Sequence, residues 1–181
     1  MKKIVAGLDG SAHGEAVVAA AADLAKTYAA SLTLVHVAEK RRFGEAEWHY
    51  GEADMPVHTS RFGARMIEEM PDWYTDINSQ EALRRYDLQS AAIEEAVGES
   101  VLAHGRDIAE GAGISEIASE LRYGDPAQEI LEVVDDVGAD LIVLGRRGMN
   151  RFAELLLGSV SQKVLHHTRT NVLLVATDAR D

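Results

Sequence analysis

Short apolar runs alternate with helical patterns along most of the chain, and this alternation limits the folds open to it more than any other feature. The run "IVAGL" has no helical period and ends at the turn residues "DGS", which is typical of a buried strand. A strand, a crossover helix and a further strand, repeated, produce a parallel sheet with helices on both faces. The sequence therefore predicts an α/β fold with a five-stranded parallel sheet flanked by helices.

The bounds of these elements follow from hydrophobic periodicity and from the residues that start or stop helices. Pro126 is favourable in the first turn of a helix, and Gly138 suits the end of the same helix. Gly111 and Gly113 are expected to end the long helix before it. The predicted strands are 4–8, 31–39, 116–126 with its closing turn, 140–145 and 171–176, and the predicted helices are 12–30, 80–111, 126–139 and 159–168.

One segment, at about 40–80, breaks the alternation. The window from Phe43 to Tyr86 holds seven of the ten aromatic residues, which argues against a fully disordered segment. A connection of this length inside a compact domain is usually functional or disordered. We therefore interpret 1–181 as a single domain that carries an aromatic-rich insertion, either a lid or part of an interface.

Composition and charge exclude several classes of protein. The net charge of −12 argues against nucleic-acid binding, which needs basic patches, but it leaves open a mononucleotide held by backbone amides. The absence of cysteine excludes disulfides and thiolate metal sites. The apolar part of "MKKIVAGLDG" is too short for a signal peptide, and no run is long enough to span a membrane. A soluble cytoplasmic protein without membrane partners is expected.

The stretch "GRRGMNRFAELLLGS", residues 145–159, has the chemistry that a phosphate site requires. Gly145 and Gly148 follow the fourth strand and allow the backbone to approach anionic oxygens closely. Gly158 and Ser159 open the last helix, whose N-terminus presents unpaired N–H groups and a partial positive charge. The stretch is neither a Walker loop nor a dinucleotide fingerprint. Taken alone, it is equally consistent with a glycine-rich turn between a strand and a helix.

The rest of the chain adds a resemblance to a known family. Glycine-x-x-glycine, nine residues and glycine-serine together are similar to the ATP-binding signature of the universal stress protein family. The stretches that also resemble this family are "IVAGLDGS", "LTLVHV", "GDPAQEILEVVDDVGADLIVLGRRG", "GSVSQKVLHHT" and "NVLLV". The resemblance implies an open-twisted, nucleotide-binding, Rossmann-like fold with strand order 3-2-1-4-5.

The resemblance also implies which positions bind the nucleotide. Asp9 would bond the ribose or adenine side, the backbone of Val37 would contact adenine, and Gly145 would lie under the ribose. The phosphates would be held by Gly148, Gly158, Ser159 and Val160. The implied ligand is ATP, or AMP or ADP, with Mg²⁺ or Mn²⁺ bridging its phosphates. The family commonly forms homodimers through the last strand, although this chain has Thr170–Asn171 where the family usually has a proline.

Several functions remain open at this point. The first hypothesis is an ATP-binding, nucleotide-dependent sensor or regulator in the stress response, acting on an unidentified protein partner. The alternatives are a slow ATPase or phosphotransfer enzyme, or an interaction scaffold with a structural nucleotide. No catalytic residue is predicted, because no base is identifiable beside Ser159. No metal site made by the chain itself is predicted either. His36 is expected to be a hydrogen-bonded strand residue, and His166 and His167 cannot chelate together.

Overall fold

A computed structural model describes residues 1–11, 14–38, 80–146 and 157–176, with residues 80–90 described as helical backbone only. The chain divides into two compact units, one made of Met1–Lys40 and Glu94–Asp181 and the other of Arg41–Ile93. The described part of the second unit, residues 80–93, is helical. The predicted insertion otherwise lies outside the described residues, and the single-domain organisation stays a prediction.

The described elements alternate as expected from the sequence. The strands are β1 Lys3–Leu8, β2 Ser31–Ala38, β3 Ile117–Tyr123, β4 Leu141–Gly145 and β5 Asn171–Val175. The helices are α1 Gly14–Tyr28, α2 Gln80–Gly111, α3 Pro126–Val137 and α4 Ser159–His167. None of the helices in the described ranges is both long enough and apolar enough to cross a membrane.

All five strands belong to one sheet, in the order β3-β2-β1-β4-β5, and every neighbouring pair is parallel. The predicted fold class and strand order are therefore confirmed. The chain winds outward from β1 in one direction through β2 and β3, and in the other through β4 and β5. Strand order thus reverses between β1 and β4, and ligands of such sheets bind beyond the carboxyl ends of the strands at this point.

The two faces of the sheet have separate cores because successive side chains of a strand point to opposite sides. On β1, Ile4, Ala6 and Leu8 pack with residues of α1 and α2, whereas Val5 packs with α3 and α4. Helix α2 approaches the first face closely at Gly105, where an added Cβ would lie only 2.9 Å from Leu8 Cδ1. The central strands are therefore buried on both faces, as their continuous apolar sequences predict.

The edge strand β3 is partly covered by a side chain of α2. Arg106 Nη1 donates to the carbonyl of Ile117 at 3.2 Å, and its Nη2 donates to Ser119 Oγ at 3.0 Å. Because the outward carbonyl of Ile117 already accepts a hydrogen bond, Arg106 makes strand addition at this point of the edge less favourable. The other edge strand, β5, pairs with β4 and is half-buried over Val172–Val175.

Candidate functional site

The turn after β1 holds Asp9 in a fixed position. Asp9 Oδ1 accepts hydrogen bonds from Ser11 N at 3.0 Å and from Ser11 Oγ at 2.7 Å. Gly10 between them has φ +73°, a conformation that favours glycine. Asp9 Oδ2 has no hydrogen bond within the described parts of the chain, and the residue is exposed. This oxygen can therefore accept a hydrogen bond from a hydroxyl group of a ligand.

The backbone of Val37 faces the gap that opens where β1 ends. The carbonyl of Ala38 accepts Gly124 N at 3.3 Å on the β3 side, and backbone groups alternate along a strand, so those of Val37 point to the β1 side. Leu8, the last residue of β1, is paired with His36. The carbonyl of Val37 thus lies past the last paired position of β1, where it can accept a hydrogen bond from a ligand.

The junction between β4 and α4 is closed by two backbone hydrogen bonds. Arg146 N donates to the carbonyl of Val175 at 2.8 Å, and Gly158 N donates back to the carbonyl of Arg146 at 2.9 Å. Arg146 and Gly158 are therefore fixed to the sheet and to each other. Gly148, predicted to bind phosphate, lies outside the described residues.

Helix α4 begins without a side-chain cap. Gly158 is its N-cap, with φ −59° and ψ 146°, and makes no side-chain hydrogen bond to the first turn. The helical ladder begins with Gln162 N, which donates to Gly158 O at 2.9 Å. The amides of Ser159, Val160 and Ser161 precede this first ladder bond, so they are donors that an anion can occupy.

These predicted residues lie at one edge of the sheet. Ala6 of β1 pairs with Val143 of β4, so continuation of the parallel register sets Leu8 beside Gly145. Asp9 follows Leu8, and Gly158, which precedes α4, is bonded to Arg146, the residue after Gly145. The described members of the predicted set, namely Asp9, Val37, Gly145, Gly158, Ser159 and Val160, therefore belong to strand ends and a helix start at the carboxyl edge of β2, β1 and β4.

Two further contacts of α4 were not found by sequence reasoning. Ser161 is 5% exposed, and its hydroxyl donates to the carbonyl of Gly145 at 2.7 Å. Lys163 Nζ donates to Asp125 Oδ2 at 2.7 Å. Both contacts join residues that are far apart in the chain, so no local pattern announces them. The position of Asp125 directly before Pro126 was the available signal for a helix cap, because aspartate is a preferred N-cap residue.

Asp125 is the cap of the neighbouring helix α3. Its Oδ1 accepts hydrogen bonds from Ala127 N and Gln128 N, each at 3.1 Å. The hydrogen bond from Lys163 and then those from the two amides hold the pKa of the Asp125 carboxyl below its usual value, because they stabilise the ionised form. This carboxylate is therefore fully engaged, with one oxygen on α3 and the other on α4.

A cavity of about 170 Å³ lies behind the Asp9–Ser11 turn, between α1 and α2. Its apolar walls include Leu8, Val18 and Val101, while His104 Nε2 and Glu15 Oε1, 3.0 Å apart, belong to two of its lining residues. This cavity does not include the α4 N-terminus, and its mainly apolar walls are unsuited to phosphate.

Three of the histidines described by the structure, His36, His104 and His167, have hydrogen-bond partners. His36 is buried, and its Nδ1 lies 2.9 Å from the carbonyl of Leu8, as expected of a hydrogen-bonded strand residue. His167 is exposed, with Nδ1 2.7 Å from the carbonyl of Lys163. Across the described ranges, no three histidine, aspartate or glutamate residues converge as a metal site.

Comparison with known proteins agrees with this architecture. The universal stress protein family matches residues 1–176. Stress response protein NhaX of Bacillus subtilis is 28% identical over 174 residues, which cover 96% of this chain and 96% of NhaX. The solved structure of universal stress protein UspA from Lactobacillus plantarum has the same fold, with a TM-score of 0.68 at 19% identity over 96% of this chain and 97% of UspA.

Two further solved structures with this fold contain nucleotides. One is a universal stress protein in complex with cAMP, with a TM-score of 0.58, 23% identity and 98% coverage of both chains. The other is the universal stress protein from Archaeoglobus fulgidus in complex with dAMP, with a TM-score of 0.55, 20% identity and coverage of 97% of this chain and 98% of that one. With the family match over nearly the whole sequence and the confirmed strand order, this chain belongs to the universal stress protein family.

Proposed function

We propose that this protein binds an adenine nucleotide at the carboxyl edge of its sheet, with the phosphates at the N-terminus of α4. The observation that carries the proposal is the uncapped start of α4 beside the end of β4. Unpaired amides and the partial positive charge of a helix N-terminus favour phosphate even in a protein of net charge −12. The amides of Ser159 and Val160, together with that of Gly148, are the proposed donors. The amide of Gly158, predicted from the sequence as a further donor, is already bonded to the carbonyl of Arg146, so Gly158 would instead let the phosphate approach the backbone closely.

The proposed contacts to the nucleoside use the other side of the same edge. The free oxygen of Asp9 would accept hydrogen bonds from the ribose hydroxyls, and the carbonyl of Val37 would accept one from the amino group of adenine. Gly145 would lie beneath the sugar. The cAMP and dAMP complexes of the related proteins support an adenine nucleotide as the ligand, because both combine adenine, a pentose and a phosphate.

A bound triphosphate would bring Mg²⁺ or Mn²⁺ with it. The protein is acidic, and such an ion neutralises phosphate charge that the backbone amides alone leave uncompensated. Magnesium usually keeps several waters and is held largely by the phosphates, so the chain needs to supply few ligands. Among the proposed phosphate-binding residues, Ser159 has the hydroxyl best suited to help hold the ion.

We further propose that nucleotide binding is read out as a regulatory signal in the stress response. Occupied and empty sites would present different surfaces to a protein partner, since a ligand shifts a protein toward the state it binds better. A homodimer through β5 is proposed as well, because the Arg106 contacts make strand addition at the β3 edge less favourable and leave β5 as the edge better suited to a second copy. Cytoplasmic location remains a prediction.

Titration with ATP, ADP and AMP, with and without Mg²⁺, tests nucleotide binding directly. We expect saturable binding, tighter for nucleotides than for adenosine, and a nucleotide that co-purifies with the protein would support the same conclusion. Absence of binding to all three nucleotides at millimolar concentration would refute the proposal. Sedimentation with and without ATP measures the oligomeric state in the same samples.

The enzymatic alternative predicts a different result. Multiple turnover of ATP that disappears in a Gly148→Ala, Gly158→Ala double variant would favour slow hydrolysis or phosphotransfer over pure binding. The scaffold alternative predicts that removal of residues 42–78 abolishes dimerisation or partner binding while ATP affinity is unchanged.

A further inference from the structure

We infer that Asp125 and Lys163 are positioning residues for the proposed nucleotide site: their ion pair fixes helix α4 relative to α3 and so aims the α4 amides at phosphate. This inference rests on the proposed function. It concerns two residues that are not among the predicted nucleotide-binding residues.

Helix α4 needs such external support because it is short. It spans only nine residues, Ser159–His167, and isolated helices of this length are marginal in water. Val164 of α4 is fully buried in the core cluster that also contains Ala127, Ile130, Val133 and Val134 of α3. The hydroxyl of Ser161 bonds the carbonyl of Gly145, and Lys163 adds to the apolar contact with α3 a directional bond to Asp125.

The anchor on the α3 side is itself rigid. Asp125 is the N-cap of α3, so its carboxylate orientation is fixed by two backbone donors, Ala127 N and Gln128 N. Lys163 therefore meets a preorganised acceptor, at 2.7 Å. A movement of α4 along its axis or about it would break this contact.

The ion pair also determines where the ammonium group of Lys163 is directed. Its ammonium group lies one turn into the helix whose N-terminus is proposed to receive the phosphates, and a lysine there could instead contact phosphate directly. The bond to Asp125 neutralises that charge and directs it toward α3. Both side chains are substantially exposed, at 57% and 44%, so the expected effect is modest, about threefold in affinity.

Two single substitutions and their combination test the inference. Lys163→Met removes the pair and leaves Asp125 as a cap, while Asp125→Asn keeps a capping side chain and removes the charge. Lys26→Met is the matched control, because Lys26 also makes one hydrogen bond, to the carbonyl of Ala112 at 3.0 Å, away from α4. The affinities for ATP and for adenosine are measured for each variant by calorimetry.

We expect Lys163→Met to weaken ATP binding about threefold, to leave adenosine binding unchanged, and to have no further effect in the Asp125→Asn background. Amide hydrogen exchange of Gln162 and Val164 in the nucleotide-free protein should accelerate in Lys163→Met and stay unchanged in Lys26→Met.

Three outcomes would overturn the inference. Wild-type ATP affinity in Lys163→Met would overturn it while leaving the proposed function intact. An equal loss in the Asp125→Asn background would instead make Lys163 a direct phosphate ligand. Failure of the wild-type protein to bind ATP would remove the proposed function, and with it the site that the pair is inferred to position.

Discussion

Helices α3 and α4 pack side by side on the same face of the sheet, yet their N-termini are built in opposite ways. Asp125 precedes α3 in an extended conformation and satisfies the amides of Ala127 and Gln128. Gly158 precedes α4 in a similar conformation, with φ −59° and ψ 146°, and has no side chain to offer. One helix start is thus capped by its own side chain, whereas the other has no side-chain cap bond and is the proposed phosphate site.

Giving α4 the kind of cap that α3 has should have the largest effect. We expect Gly158→Asp to weaken ATP binding at least tenfold, because a carboxylate would occupy the amides and repel phosphate. A φ of −59° is accessible to aspartate, so thermal stability should be retained or increased. Calorimetry and thermal unfolding measure the two effects.

Gly158→Asn separates capping from charge, since asparagine caps without a negative charge. It should weaken ATP binding less than Gly158→Asp does. Unchanged affinity in Gly158→Asp would mean that the phosphates do not bind at the start of α4, and the comparison between the helices would lose its functional meaning.

The reverse change removes the cap of α3. We expect Asp125→Ala to lower the free energy of unfolding by about 1 kcal/mol, because two amides lose their acceptor. Urea unfolding measures the change, with Asp125→Asn as the variant that keeps a cap. A stability equal to that of the wild-type protein would show that α3 does not depend on its cap.

Ser161→Ala tests the contact that fixes α4 to the end of β4. The free energy of unfolding should fall by roughly 0.5 to 1 kcal/mol, because the carbonyl of Gly145 loses a largely buried hydrogen-bond donor. Ser159→Ala, measured in parallel, should have a smaller effect on unfolding, since its hydroxyl is assigned to the ligand. Equal effects of the two substitutions would contradict this division of roles.

Lowering the pH should protonate Asp125 and weaken its capping of α3, so that the starts of α3 and α4 become more alike. The pKa of Asp125 is lowered on folding, chiefly by the hydrogen bond from Lys163, so its contribution to stability is complete above the usual value of 3.8 and is lost as the pH falls through the lower folded value. Hydrogen exchange of Ala127 and Gln128 should therefore accelerate at acid pH, relative to the intrinsic rate, while that of Ser159 does not.

The pH dependence of unfolding provides a second test. Asp140 also has a lowered pKa, because the backbone amides of Lys2 and Lys3 donate to it, and it should contribute to the same acid transition. Asp125→Asn should therefore reduce the loss of stability below about pH 4 without abolishing it. An identical pH profile in the wild type and the variant would show that the Asp125 carboxylate does not contribute to the pH dependence of unfolding.

Much of this fold could be predicted from the sequence because its signals are local. Continuous apolar runs identify the central strands, and Pro126 and Gly138 mark the ends of α3 through their own backbone preferences. Strand order came from the family resemblance rather than from periodicity. The third strand ends at Tyr123, and Gly124, with φ +151°, begins the turn that the sequence predicts after it.

The candidate site was only partly predictable from the sequence, because several of its contacts join residues that are distant in the chain. Glycines and Ser159 were evident from spacing, but the direction of the Val37 carbonyl depends on pairing with β3, more than 80 residues along the chain. The bond from Ser161 to Gly145 and that from Lys163 to Asp125 span 16 and 38 positions. Contacts of this kind arise only when helices and strands pack, and no local residue pattern encodes them.

The hydrogen bond from Gly158 N to Arg146 O ties the start of α4 to the end of β4. Arg146 N is in turn bonded to the carbonyl of Val175 at the end of β5. The first turn of α4 is therefore linked by backbone bonds to two neighbouring strands. A substitution in β4 or β5 that shifts either strand end should also shift the amides of this turn, although it lies outside the helix.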